Sequence, residues 1–225
     1  MSIQCRNLQK YYSISTGQIN AVDGVNLKLH SNDFAVILGR SGSGKTTLLS
    51  IIGGLIKPDA GTVLIDGREN WQQSDRKLTR LRNEKIGFVF QFASLIPALT
   101  VIENIMLPLS FSRQPAGNRD FALSLLEQVD LVDKTDLFPA QLSGGQQRRV
   151  AIARAFINQP EIILADEPTG DLDEDTEGEI LALFSRYHSM GTTFVVVTHN
   201  SSLAATQKTP RLFEMRRGGL EERSS

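Results

Sequence analysis

The chain of 225 residues has a single cysteine, one tryptophan and three tyrosines, and the cysteine count alone excludes a disulfide framework. A lone thiol, Cys5, closes no disulfide within the chain; set in an alternating apolar pattern, it reads as a small buried hydrophobe of a reducing compartment. Net charge is also missing. With 24 basic and 25 acidic residues the sum is -1, so no global field draws the chain onto nucleic acid or an anionic membrane. No apolar run approaches the ~20 residues that cross a bilayer. The longest runs, Phe34 to Leu38, Ile162 to Ala165 and Phe194 to Val197, have the length of buried strands. Met1-Ser2-Ile3-Gln4 lacks the basic start and apolar run of a signal peptide, and there is no internal repeat or low-complexity segment. Any membrane role is therefore expected to come through another polypeptide. The remainder, 40% hydrophobic and 22% charged, suffices for a substantial globular core.

The start of the chain reads as antiparallel β, with Ile3 and Cys5 alternating with polar residues and Val25, Leu27 and Leu29 alternating again. Asn32-Asp33 turns into the strand Phe34 to Leu38. The next helix sets Leu48, Ile51, Ile52 and Leu55 on one face and stops near Gly53-Gly54 and Pro58. Thr62 to Ile65 with Asp66-Gly67 is a strand and hairpin turn. Ser74 to Lys85 reads as a charged, solvated helix, and Ile86 to Phe90 as a buried strand ending at Gln91. From Phe92 to Phe156 the pattern is helical: Val101 to Leu107, Phe121 to Val129, and a long segment from Ser143. Two continuous apolar strands, Ile162 to Ala165 and Phe194 to Val197, flank a helix from Glu174 to Met190, as expected of a parallel sheet covered on both faces. Glu221 to Ser225 reads as a frayed tail. The fold class expected is α/β: a mostly parallel core with an N-terminal antiparallel β part, residues 1–91 and 157–225, and a helical subdomain inserted over residues 92–156.

Gly39-Arg40-Ser41-Gly42-Ser43-Gly44-Lys45-Thr46, followed by Thr47, is a phosphate-binding loop of the P-loop NTPases. Its glycines let the backbone curl so that successive N–H groups cradle anionic oxygens, and the helix it opens favours negative charge. Lys45 is placed to reach the β- and γ-phosphates, and the Thr46 hydroxyl to ligate Mg²⁺. An ordinary Gly/Ser turn is the alternative, but a strand before, a helix after and Lys-Thr in register speak against it. Asp166 and Glu167 follow a buried strand, which puts two carboxylates beside that loop. Asp166 suits the Mg²⁺ shell and Glu167 the activation of water; a helix-capping acidic pair before Pro168 is the plainer reading. Gln91 and His199 each stand just past a buried strand, where a lone polar residue is usually a turn residue.

Leu142-Ser143-Gly144-Gly145-Gln146 has two readings. Ser143 and Gln146 form a capping box. That leaves unexplained two glycines in the first turn, where they cost stability relative to alanine. They make sense if a ligand phosphate approaches the helix N-terminus, with the Ser143 hydroxyl and the Gly145 N–H as donors.

With these residues the chain resembles the ATP-binding subunits of ABC transporters over essentially its whole length. The motifs fall in the family's order: the aromatic Tyr12 as adenine platform, Gly39 to Thr46, Gln91, the signature Leu142 to Gln146, Ile162 to Asp166 with Glu167, Gly170-Asp171-Leu172-Asp173, and His199. Tyr11 precedes Tyr12, but alignment on Asn7-Leu8-Gln9-Lys10 favours Tyr12. A phosphate loop alone would also fit kinases or GTPases; the signature and helical insertion would not. The resemblance implies ATP and Mg²⁺ as cofactors, with Thr46, Gln91 and Asp166 around the metal and Glu167, His199 and Gln91 in catalysis. It implies a head-to-tail homodimer with two ATP molecules between phosphate loops and opposing signatures, linked by Asp171 and Asp173. Asp173 can at the same time cap the helix from Glu174.

A finer likeness, carried by Gly87 to Phe92, Leu95 to Thr100 and Glu103 to Ile105, is to the lipoprotein-releasing, macrolide-exporter and cell-division ATPases. It implies a separately encoded integral membrane permease subunit, with the chain held peripherally on the cytoplasmic side of the inner membrane. Phe92 to Leu99 would receive a cytoplasmic helix of that partner, although core packing competes for Phe92 and Leu95. Asn200 departs from the Asp common after the histidine. The function expected is ATP hydrolysis that closes and reopens the dimer to power the membrane subunit, for export, lipoprotein release or mechanical transmission. The alternative is a regulatory ATPase whose membrane partner controls cell-wall enzymes and moves no substrate. A DNA-repair or translation ATPase, which would need a coiled-coil insertion, a second ATPase domain or a basic patch, is ranked last, and no nucleic-acid partner is expected.

Overall fold

The computed structural model describes residues 1–15, 17–113, 115–170, 172–200, 203 and 210–223. Strands β1 (Ile3–Ile14) and β2 (Gly17–Leu29) form a long antiparallel pair in which Ile3 opposes Leu29 and Cys5 opposes Leu27. These are the residues whose alternation marks the segment in the sequence, because each turns its apolar side chain to the same buried face. β3 (Phe34–Leu38) leads through the glycine-rich loop into α1 (Lys45–Ile52); β4 (Ala60–Ile65) and β5 (Arg68–Glu69) complete a four-stranded sheet in the order β2-β1-β4-β5. In α1, Leu48, Ile51 and Ile52 are buried as expected, but Leu55 is exposed. The helix ends at Ile52, with Gly53 as its cap, so Leu55 lies beyond the last turn and leaves the apolar face.

After α2 (Asp75–Lys85) come β6 (Ile86–Val89), α3 (Val101–Met106), α4 (Arg119–Gln128), α5 (Gly144–Phe156), β7 (Ile162–Asp166), α6 (Glu174–Ser189), β8 (Thr193–Thr198), β9 (Arg211–Arg216) and β10 (Gly219–Glu222). The second sheet runs β10-β9-β3-β8-β7-β6, parallel throughout except for the edge strand β10. Alternate residues feed two cores. Phe34, Val36, Ile163, Ala165, Phe194 and Val196 pack on one side with residues of α3, α4, α5 and α6. Ala35, Ile37, Ile162, Leu164, Val195 and Val197 pack on the other with α1 and the antiparallel sheet. Both faces are thus covered, which accounts for the unalternating apolar runs.

The buried faces of α3, α4 and α5 belong to the same hydrophobic cluster as one face of the parallel sheet. The chain end differs from the frayed tail expected of it: Glu221 and Glu222 lie in β10, opposite Glu214 and Phe213, and Arg211 reaches Glu222 in an ion pair. Ser224 and Ser225 lie outside the described residues. No helix among the described residues is long and apolar enough to cross a membrane.

Candidate active site

The strand order sets the site. At their C-terminal ends β3, β8, β7 and β6 lie side by side and deliver, in that order, the glycine-rich loop, His199, Asp166 with Glu167, and Gln91. Gly44 sits at φ 106° just before α1, a conformation open to glycine. A Cβ there would lie 1.9 Å from the Ala21 carbonyl oxygen and 2.8 Å from the Met215 side chain. Gly39 is equally confined, by Met215 O and Ser43 Oγ, both at 2.6 Å from such a Cβ. From below, Gly218 N donates to Ser43 O at 3.1 Å, so the β9–β10 turn props the loop. Lys45 Nζ spans the loop, donating to Gly39 O at 2.7 Å and Arg40 O at 3.2 Å. Ser43 Oγ is buried with no hydrogen-bond partner among the described residues. A tight backbone cradle, a buried cation and an unsatisfied hydroxyl fit a chain of phosphates.

Asp166 is buried at the end of β7, with the Thr46 hydroxyl close to its carboxylate. Burial pushes its carboxyl above the usual range; Thr46 opposes that, Glu167 adds to it, and the charges of Lys45 and Arg148 pull it back. Two oxygen ligands, from Thr46 and Asp166, on the wall of one cleft suit a hard divalent cation. Glu167 sits at φ 46°, the left-handed region that costs an L-residue roughly 1–2 kcal/mol. It is fixed there from several sides. Thr198 Oγ1 donates to its Oε2 at 2.8 Å, His199 N to its Oε1 at 3.0 Å, and His199 Nδ1 lies 2.9 Å from the same Oε1. Its own N–H donates to Val197 O at 2.9 Å. The carboxylate is thereby oriented while the histidine side chain stays 70% exposed. Asn200, the departure noted in the sequence, donates from Nδ2 to Glu177 Oε1 at 3.4 Å.

One cleft of about 1240 Å³ gathers Tyr12, Arg40 to Thr47, Gln91, Asp166, Glu167 and His199. Tyr12, not Tyr11, is on its wall; Tyr11 turns its N–H to Asp59 at 2.8 Å. Gly39, which opens the loop, is not on that wall. Among the described residues none of Ser143, Gly144, Gly145 and Gln146 lines this cleft. The capping box is formed, with Gln146 N donating to Ser143 Oγ at 3.2 Å and Ser143 N to Gln146 Oε1 at 3.0 Å. At Gly144 a Cβ would meet nothing within 4 Å, so packing inside the chain does not call for glycine. At Gly145 it would stand 3.5 Å from Leu172, which places the signature beside the loop before α6. Asp173 caps α6 through Thr176 N at 2.9 Å; Asp171 lies outside the described residues.

Thr198 and Arg148 escape a sequence reading. Thr198 ends an apolar strand one residue before His199, a signal that was available. Arg148 looks like one more charge on a helix, yet it is 7% exposed and lines the cleft. A mainly apolar groove of about 570 Å³ is lined by Leu55, Phe88, Phe90, Leu107 and Phe111, with Arg82 and Arg154 among its polar residues. Phe92 beyond it is 77% exposed, whereas Leu95 packs against the core.

A family model described as ABC transporter matches residues 22–170. The lipoprotein-releasing system ATP-binding protein LolD of Porphyromonas gingivalis is 42% identical over 224 residues, 98% of this chain and 99% of that protein. The macrolide export ATP-binding/permease protein MacB of Syntrophobacter fumaroxidans is 41% identical in an alignment that covers 99% of this chain and 31% of that protein. Among solved structures, the ATP-binding cassette MJ0796, described as dimeric in a post-hydrolysis state bound to ADP and Pi, superposes with a TM-score of 0.91. It is 42% identical in sequence, over 99% of this chain and 100% of that one.

Proposed function

The chain belongs to the ABC transporter family, as an ATP-binding subunit that hydrolyses ATP, and from that premise we propose that two copies close head to tail around two ATP molecules, with Glu167 as the general base. The observation that carries this is the Glu167 carboxylate, strained and held by Thr198 and His199 beside the phosphate loop. Lys45 and the loop N–H groups bind the phosphates, and Tyr12 offers its ring to the adenine. Glu167 takes a proton from the attacking water, while His199 keeps its carboxylate aimed and hydrogen-bonds the terminal phosphate. Thr46 and Asp166, with Gln91, would hold Mg²⁺, which supplies neutralising charge to the phosphate oxygens.

Ser143 to Gln146 stand outside their own cleft, with Gly144 open to approach, and this supports delivery to the ATP of the other copy. The dimeric description of the cassette with a TM-score of 0.91 supports the same arrangement. The apolar groove with exposed Phe111 supports docking of a segment of a separate membrane subunit. MacB, whose name joins ATP-binding to permease in one longer chain, supports such a pairing. The membrane subunit would hold the chain at the cytoplasmic face, where ATP is.

Glu167→Gln tests this reading. Loss of a general base costs about 10²–10⁴-fold in turnover, and ATP should then trap a long-lived dimer visible by size-exclusion chromatography. Adding Ser143→Arg to that variant should abolish the dimer while the monomer still binds ATP. Normal turnover in Glu167→Gln, or loss of ATP binding in the Ser143→Arg monomer, refutes it.

A further inference from the structure

Arg148 lies one turn into α5, the helix whose N-terminus carries Ser143 to Gln146. Its guanidinium, nearly buried, donates to the main-chain carbonyl of Gln91 across the cleft. The same group lies against Gly170, where a Cβ would stand 3.5 Å from its Nη1, and its charge acts on Asp166. A buried guanidinium is stable only while its donors are satisfied, so movement of α5 must either break this bond or carry the Gln91 main chain with it. The segment following Gln91 is tied to the same helix. Arg154, further along α5, donates to Ala93 O at 2.9 Å and Ser94 O at 3.0 Å. Gln91 itself lies past the end of β6, off the ladder that holds the strand, and so follows the helix more easily than the sheet does.

We propose that Arg148 is a positioning residue for hydrolysis: from the helix that offers Ser143 to Gln146 to one ATP, it holds Gln91 in the cleft for the other. One helix then serves two sites, and the placement of Gln91 reports where α5 stands. This rests on the role given above to Gln91.

The test is steady-state Mg-ATPase of the purified full chain, with ATP binding and thermal melting measured beside it. Arg148→Met, similar in length but without donors or charge, should lower kcat about 10- to 100-fold, the scale of a small misplacement. KM for ATP should stay within about twofold and melting should be unchanged, because ground-state binding by the phosphate loop is intact. Arg148→Lys, which keeps charge and a donor, should recover most of the loss. The pair Gln91→Ala with Arg148→Met should be no slower than Gln91→Ala alone, since the arginine acts through that residue. An unchanged kcat in Arg148→Met, additive losses in the pair, or a fall in kcat that tracks a fall in melting temperature and is not restored by lysine would each overturn the proposal. If Gln91→Ala itself leaves kcat intact, the role of Gln91 fails and this inference falls with it. If Gln91→Ala is crippled and Arg148→Met is normal, only the inference falls.

Discussion

Gly44→Ala and Gly42→Ala, two residues apart in the same loop, should differ sharply in stability. Both glycines have positive φ, 106° and 77°, so both alanines carry backbone strain on the order of 1–3 kcal/mol. Their surroundings separate them. A Cβ at Gly42 meets nothing within 4 Å, whereas one at Gly44 falls 1.9 Å from Ala21 O, 2.8 Å from Met215 Cε and 3.1 Å from Ala21 C. Ala21 lies in β2 at a register shift, between Asn20 and Val22, which pair with Tyr11 and Lys10 of β1, so the obstacle is backbone anchored on both sides that cannot swing aside as a side chain would. Forcing a methyl into such a place adds about 1–3 kcal/mol. With a urea m-value of about 2 kcal/mol/M, Gly44→Ala should unfold at a midpoint roughly 0.5–1.5 M below Gly42→Ala. The measurement is urea denaturation followed by circular dichroism without nucleotide, since a bound ligand would mask the difference by mass action. Coincident midpoints with equal slopes would show that β2 and Met215 do not confine the loop, and the account of why glycine stands at 44 would be wrong.

Two further expectations concern surfaces and charge. Crosslinking from Phe111→Cys in native membranes should join the chain to an integral membrane protein; adducts with soluble proteins alone would refute the docking groove. Burial pushes the Cys5 thiol from 9.0 up to about 12. A folded pKa raised above the unfolded one means that its contribution is intact below pH 9 and is lost as pH climbs from 9 towards 12. The slope is at most about 1.4 kcal/mol per pH unit. The stability gap between the native chain and Cys5→Ala should therefore be flat at neutral pH and narrow in alkali; a gap unchanged to about pH 11 would refute the burial argument.

Local chemistry made much of this molecule legible. Ile3 and Cys5 announce their pairing with Leu27 and Leu29 because one face of a strand must be apolar, and a glycine-rich loop between strand and helix has few other uses. Failures came where a distant segment decides. Glu221 to Ser225 reads as a frayed tail, yet Glu221 and Glu222 pair with β9, which itself lies parallel to β3, and Arg211 holds both Asp33 and Glu222 in ion pairs. Leu55 fits the helical period, but Gly53 ends the helix before it. Arg148 carries no local mark of burial; only the fold brings Gln91, Asp166 and Gly170 around it. The signature was readable as a cap and as a phosphate reader, because both follow from a helix N-terminus.

The prop beneath the phosphate loop has a consequence for the order in which the protein is made. The loop is synthesised early, but Gly44 is walled by Met215, and Ser43 is held by Gly218. Until residues 211–218 leave the ribosome, β3 has no partner on the side that β9 will fill, and the loop has no floor. A nascent chain thus carries every residue of its phosphate-binding sequence long before it owns a phosphate-binding site. ATP should then bind only those nascent chains from which the β9–β10 hairpin has emerged.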